Sequence, residues 1–491
     1  MDVVKRVLAG LFLLGLSAAG VYGYFLSERE RTFRQLITDG DAALARDNTV
    51  AAIEAFSGAI TLKEDAMLGY LKRGQTYRQR GEFVAAIRDL RRASELDPTA
   101  TRPLVELGDA YLADIPHRYR SAAERFEEYV RLDSRAPRVL YKLAFARYHE
   151  RHFSAAIDAL QRALAMDDRI PEAHYLLGLC LRDVQQPEEA RKSLERAIFL
   201  QPTLMHAREE LADLYRTLGR VDDHLMQLEH LTALDPSPSR DVALGLAYAR
   251  AGQPERAITT LGRTAERHPG HPYAYVALGR VWLEIAQTRG DRVALTKALG
   301  ALEGAVGRDS SSEAFMLFGR GLLLTGDKEN EETAERMLMD ATQKAPVDPL
   351  AFYYLAEASE RLGHFTVARQ ALLDYDTLRG DTDARRRAAH AVRVGELSLK
   401  VNDPAGAAVY FLRAADGDPN LLARAADAQL RAGDTNGALG TAAKVLEKDP
   451  TNALAQTVMR RAARLPPSPK TEMPTGAASD RSGRAGRLRE N

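Results

Sequence analysis

Few residues of this 491-residue chain combine a reactive side chain with a spacing that would let neighbours act together. In HERH, His149 and His152 stand three apart, and in HPGH so do His268 and His271. Two imidazoles one helical turn apart can share a metal ion, but a stable site needs further ligands. No third ligand is evident beside either pair, and both pairs fall in turns between helical segments, so they read as solvated turn histidines. Glu331, Glu332 and Glu335 read as a solvated helix face. The single cysteine, Cys180, excludes an intramolecular disulfide and a cysteine-rich zinc site. It reads as a small buried apolar residue. The chain lacks GxSxG, HExxH and the phosphate-cradling GxxxxGK[ST]. No catalytic residue, metal site, cofactor or small-molecule substrate is therefore expected, and the chain is read as a non-enzyme.

The elements that would carry any site are more informative. Lysine plus arginine number 68 and aspartate plus glutamate 68, so no global charge draws nucleic acid or an anionic surface. The stretch EEARKSLERAIFLQP places Ala190, Leu194 and Ala197 on one helical face and closes at Pro202. The same skeleton stands at Ala86, Leu90, Ala93 and Pro98. Its leading small residue recurs at Ala52, Ala122, Ala156, Ala257, Ala298, Ala334, Ala368, Ala407 and Ala438, with His224 in the corresponding place. Most steps lie close to 34 residues, the period of a helix-pair solenoid. Each unit has an earlier helix, and five of these pair a small residue with an aromatic three later: Gly74 and Tyr77, Gly108 and Tyr111, Ala212 and Tyr215, Gly245 and Tyr248, and Gly279 and Trp282. Turn glycines follow at Gly81, Gly219, Gly252, Gly363 and Gly433. Small residues let two helices approach to about 8–10 Å, and stacked pairs bury a stripe that one pair cannot.

This pattern resembles the tetratricopeptide repeat family over roughly residues 33–452, about twelve repeats. The departures are His224 for alanine, Arg147 for an aromatic, Ala442 for a large residue, and an insertion in the eighth repeat within WLEIAQTRGDRVALTK. The resemblance implies an all-α solenoid, a right-handed superhelix of about twelve helix pairs, with a concave groove lined by first helices that holds a protein partner. In bacterial envelopes, proteins of the resembled family often serve assembly, secretion or polysaccharide export complexes. The chaperone-clamping members use groove asparagines; the matching positions here, among them Gln75, Asp109, Phe145, Asp213, Leu246, Arg280, Arg320, Glu357 and Glu396, include none.

Ahead of the repeats, VLAGLFLLGLSAAGVYGYFL at 7–26 holds 20 residues without a charge. At about 1.5 Å per residue it matches a bilayer core. Lys5 and Arg6 precede it, and Tyr22 and Tyr24 suit an interface. The expectation is a signal-anchor at 1–27, a solenoid at 28–452, a capping helix at 453–465 and a disordered tail at 466–491. The function expected is a scaffold for assembly of a cell-envelope complex, anchored by one transmembrane helix in a bacterial inner membrane, with periplasmic repeats. The alternatives are a soluble periplasmic or secreted adaptor, cleaved after Ser17–Ala19, and a regulatory subunit of a membrane enzyme.

One surface is singled out for the partner. In PRVLYKLAFARYHE, Leu140, Leu143 and Ala144 share the packing face, while Tyr141, Phe145 and Tyr148 share another. By the geometry of the resembled family that second face lines the groove, with Tyr175, Leu179 and Arg182 beside it on the next repeat. Clustered aromatics with an arginine are the usual make-up of interface hot spots. Packing between neighbouring repeats is the competing role for the same side chains.

Overall fold

The computed structural model describes residues 2–464 apart from 115, 309–310 and 380–382, with side chains from residue 21 onward. The described residues form 25 helices and no strand, in two compact units that divide after Pro236. The expected tail at 466–491 lies outside the described residues.

The first unit contains six helix pairs. They are α1 (Asp2–Ala45) with α2 (Thr49–Leu62), α3 (Met67–Gln79) with α4 (Phe83–Leu96), and α5 (Thr101–Ala113) with α6 (Tyr119–Leu132). Then come α7 (Pro137–His149) with α8 (Phe153–Met166), α9 (Pro171–Asp183) with α10 (Pro187–Leu200), and α11 (Met205–Thr217) with α12 (Val221–Leu234).

The second unit pairs α13 (Pro238–Arg250) with α14 (Pro254–Arg267), α15 (Pro272–Arg289) with α16 (Arg292–Val306), and α17 (Ser312–Thr325) with α18 (Lys328–Thr342). It continues with α19 (Pro349–Leu362) and α20 (Phe365–Arg379), α21 (Ala384–Lys400) and α22 (Pro404–Ala415), and α23 (Pro419–Arg431) and α24 (Thr435–Lys448). A last helix, α25 (Ala453–Ala462), buries Ala455, Val458 and Ala462 with Ala438, Ala442 and Val445 of α24.

The local causes repeat from pair to pair. In α10, Pro187 sits in the first turn and Glu188 and Glu189 meet the positive helix end. Ala190, Leu194 and Ala197 are buried one and two turns apart. The first helix of the pair crosses there at a glycine: a Cβ on Gly178 would stand 2.7 Å from Leu194 Cγ and 3.3 Å from the Ala190 carbonyl. Gly74 meets Leu90 and Gly245 meets Leu261 in the same way. The turn inside most pairs takes one left-handed residue. Gly81 supplies it at φ +77°, while Arg151 and Gln185 adopt φ 61° and 63° without the glycine's freedom.

The departures from the repeat pattern have physical accounts. The His224 ring bonds through Nδ1 to the Ala212 carbonyl at 2.8 Å, joining the second helix of its pair to the small-residue position of the first. Arg147 pairs with Glu150 at 2.8 Å and with Glu127. The eighth-repeat insertion lengthens α15 to 18 residues rather than adding a long loop.

The placement as a single-pass inner-membrane protein is overturned. Among the described residues no helix is long and apolar enough to cross a membrane. The side chains of 7–20, most of the expected span, lie outside the described residues. The helix α1 runs 44 residues without a break. Its Phe33, Ile37 and Ala43 pack with Ala52, Phe56 and Ala59 of α2. The stretch read as an independent anchor is therefore continuous with the first helix of a repeat pair.

Candidate functional site

The helix α7 divides its faces as its periodicity predicts. Val139, Leu140, Leu143, Ala144 and Ala146 are buried, whereas Tyr141, Phe145 and Tyr148 are half-buried and His149, its last residue, is exposed. In the next pair Tyr175 is half-buried, but Leu179 is only 8% exposed. Leu179 belongs to the core and offers a partner almost no surface.

The six expected residues form two groups. Tyr141 lies beside Glu172 and Tyr175, and burial first, then the Glu172 carboxylate, raises its phenol pKa. Tyr148 lies near Asp183 and Arg182; burial and then Asp183 raise its pKa as well. Arg182 hydrogen-bonds Asp183 at 2.9 and 3.0 Å and also pairs with Glu210 of α11. Its guanidinium links successive first helices, so it is not an idle cation. Cys180, on the same helix, is fully buried, and burial pushes its thiol up to about 12.

Comparable ties run between other first helices. Lys142 Nζ reaches Asp109 at 2.7 Å, while Gln75 Nε2 and Arg78 Nη2 reach Glu106 at 2.7 and 2.8 Å. In the second unit Arg393 pairs with Glu360 and Arg424 with Glu396, each at 2.8 Å. Many polar groups of this face are thus satisfied by the neighbouring repeat.

The aromatic group is larger than the sequence indicated. The connection between α5 and α6 spans five residues, 114–118, where the α3–α4 and α7–α8 connections span three. The His117 Nδ1 contacts the Leu112 carbonyl at 2.7 Å, and this turn carries Tyr119 onto α7. Tyr119 stacks on His149 with centroids 4.3 Å apart and planes at 10°. Phe145 meets His149 edge-on at 4.5 Å, and Tyr148 meets it at 5.5 Å. Each such pair contributes about 0.5–1.5 kcal/mol beyond its buried area. Burial and then the nearby His117 ring lower the His149 pKa, which favours the neutral imidazole. Sequence reading missed Tyr119, His117 and His149 as site members. The available signal was the long step from Ala86 to Ala122, which marks the enlarged turn.

The arrangement has the chemistry of a contact surface: flat aromatic edges and one neutral imidazole, framed by ion pairs that hold adjacent first helices. Among the described residues no group of three or more histidine, cysteine or acidic side chains could hold a metal ion. His149 and His152 are divided between the aromatic group and a 3.8 Å approach of His152 to Glu150.

Comparison with known proteins adds the following. Tetratricopeptide repeat family models match residues 69–99, 141–203 and 242–313. Small glutamine-rich tetratricopeptide repeat-containing protein 2 of Mycosarcoma maydis is 31% identical over 99 residues, which cover 20% of this chain and 28% of that protein. Among solved structures, MamA is similar at 27% identity, covering 33% of this chain and 94% of that one, with a TM-score of 0.32. YrrB, described as a TPR protein with an unusual peptide-binding site, is similar at 22% identity, covering 38% and 96%, with a TM-score of 0.35. The family models thus place tetratricopeptide repeats at these three segments of a chain whose described residues form helices and no strand.

Proposed function

We propose that this chain is an interaction adaptor that captures a segment of a protein partner on the aromatic group formed by Tyr119, Phe145, Tyr148 and His149 together with the adjoining Tyr141 and Tyr175. The supporting observation is the contrast along the first helices. Polar groups such as Lys142, Arg78 and Arg182 are tied to a neighbouring repeat, whereas the stacked aromatics between α6 and α7 remain half-buried with His149 exposed. Half-buried aromatics desolvate at little entropic cost, and such groups dominate interface energies. The finer reading, service in a cell-envelope assembly complex, makes envelope proteins the first partners to test.

Capture experiments with the full chain test the proposal. Tyr141→Ala combined with Phe145→Ala is expected to weaken partner binding at least about tenfold, since a single hot-spot truncation can cost about 2 kcal/mol or more. The exposed His149→Ala is expected to weaken binding and keep helicity, lowering stability by no more than its lost ring contacts, about 0.5–1.5 kcal/mol each. Partner binding at parental strength in both variants would refute the assignment.

A further inference from the structure

The second unit contains a cavity of about 400 Å³ among α19, α20 and α21. Small-molecule sites occupy about 300–1,000 Å³. Its inner wall is aromatic. Tyr375 is 7% exposed, and the Tyr353 ring lies 5.6 Å from it and 5.4 Å from Tyr354. Leu350 and Ala389 add apolar surface.

The rim is basic, with Arg379, Arg386, Arg387 and Arg393 against one lining carboxylate, Asp376. Asp376 faces His390 at 3.3 Å, and that ring also contacts the Leu372 carbonyl at 3.0 Å. Two of the arginines lie against the tyrosine wall: Arg393 is 5.3 Å from the Tyr353 centroid, and Arg379, 5.5 Å from that of Tyr375, donates a hydrogen bond to the Tyr375 hydroxyl. Arg393 already uses its Nε on Glu360 at 2.8 Å. Arg386 stands 3.6 Å from Asp383, and Arg387 has no ion-pair partner among the described residues.

A second observation points the same way. Arg385, Arg386 and Arg387 open α21, whose first turn contains no acidic residue. The helix dipole places partial positive charge there, so consecutive arginines oppose it. The Asp383 carboxylate caps this end, accepting from the Arg385 N–H at 2.9 Å, and an anion seated beside Arg386 and Arg387 would offset the repulsion among three arginines that one carboxylate faces.

We propose that this cavity binds a phosphate ester carried on an aromatic body, with the anion on Arg386 and Arg387 and the ring against the tyrosine wall. A phosphotyrosine side chain and a nucleoside monophosphate share this chemistry.

Calorimetric titration of the full chain at fixed ionic strength tests it, with phenyl phosphate, inorganic phosphate and phenol as probes. Phenyl phosphate is expected to bind about tenfold more tightly than inorganic phosphate, because only it uses both walls. Phenol is expected to show no saturable binding. The double variant R386Q/R387Q should bind phenyl phosphate about tenfold more weakly. Its unliganded melting temperature should be equal to or above the parent's, since repulsion at the helix start is removed. Arg387→Lys, which keeps the charge but loses the fork, should fall between the two and provides the test if the double variant does not fold. A phosphotyrosine peptide and adenosine monophosphate, compared afterwards, identify the source by the tighter binder. Equal affinity for phosphate and phenyl phosphate, no saturable binding of phenyl phosphate, or unchanged binding by the variants would overturn the proposal.

Discussion

At the scale of single residues, His149 has a role that its turn-end position conceals. Stacked on Tyr119 and flanked by Phe145, it has a pKa below its ordinary 6.5, first through burial and then through His117. A histidine whose folded pKa is depressed is protonated earlier in the unfolded chain. Stability is therefore retained above about pH 6.5 and decreases as pH falls from there toward the lowered folded value, below which the effect levels off. Denaturant melts between pH 5 and 8 should show this slope, and His149→Gln should flatten it. A slope of equal size in the variant would assign it to other groups. His149 of HERH thus ends α7 in an aromatic contact, where its spacing suggests a solvated turn histidine. Its spacing could not distinguish the two, because Tyr119 comes from a different helix.

At the scale of one helix pair, the decisive contact is the crossing of a small residue over a leucine. Gly178 leaves no room for a methyl group: the added Cβ would meet Leu194 at 2.7 and 2.8 Å, with the Ala190 backbone carbonyl behind at 3.3 Å. Gly178→Ala ordinarily favours a helix by propensity. Here overpacking outweighs that gain, and the substitution is expected to destabilise by about 1–3 kcal/mol. A chemical-denaturation midpoint would register it. Gly262, whose added Cβ would meet nothing within 4 Å, is the matched control, and Gly262→Ala should leave stability unchanged or increase it. This crossing was legible in the sequence as a small residue in the first helix and a leucine in the second. The lengthening of α15 was not, because an insertion adds the same residues to the sequence whether it extends a helix or a loop.

At the scale of the whole molecule, the contacts divide into two compact units at residues 236 and 237. Repeat arrays derive their stability from intrinsic pair terms and neighbour interfaces, so an array need not be intact for its parts to fold. Residues 1–236 and 237–464, produced separately, are each expected to show high helicity and a cooperative thermal transition by circular dichroism. A fragment that lacked a transition would show that its core needs the other half. The period near 34 predicts neither the position of this boundary nor its existence, since the repeat marks continue through it at His224 and Ala257.

The sequence by itself determined the class of the molecule: recurrent small residues, leucines, turn glycines and closing prolines specify helix pairs, because each acts within one pair over a few turns. It also located the aromatic face of α7, since helical periodicity alone places Tyr141, Phe145 and Tyr148 together. Tertiary structure decided what those residues touch. It buried Leu179, tied Arg182 to Glu210 28 residues away and Lys142 to Asp109 33 residues away, and brought Tyr119 onto His149. It also joined the apolar amino-terminal stretch to the first repeat helix in one continuous α1. Such contacts depend on how far each pair rises and turns relative to the next, a quantity set by the packed interface between pairs and absent from any local pattern.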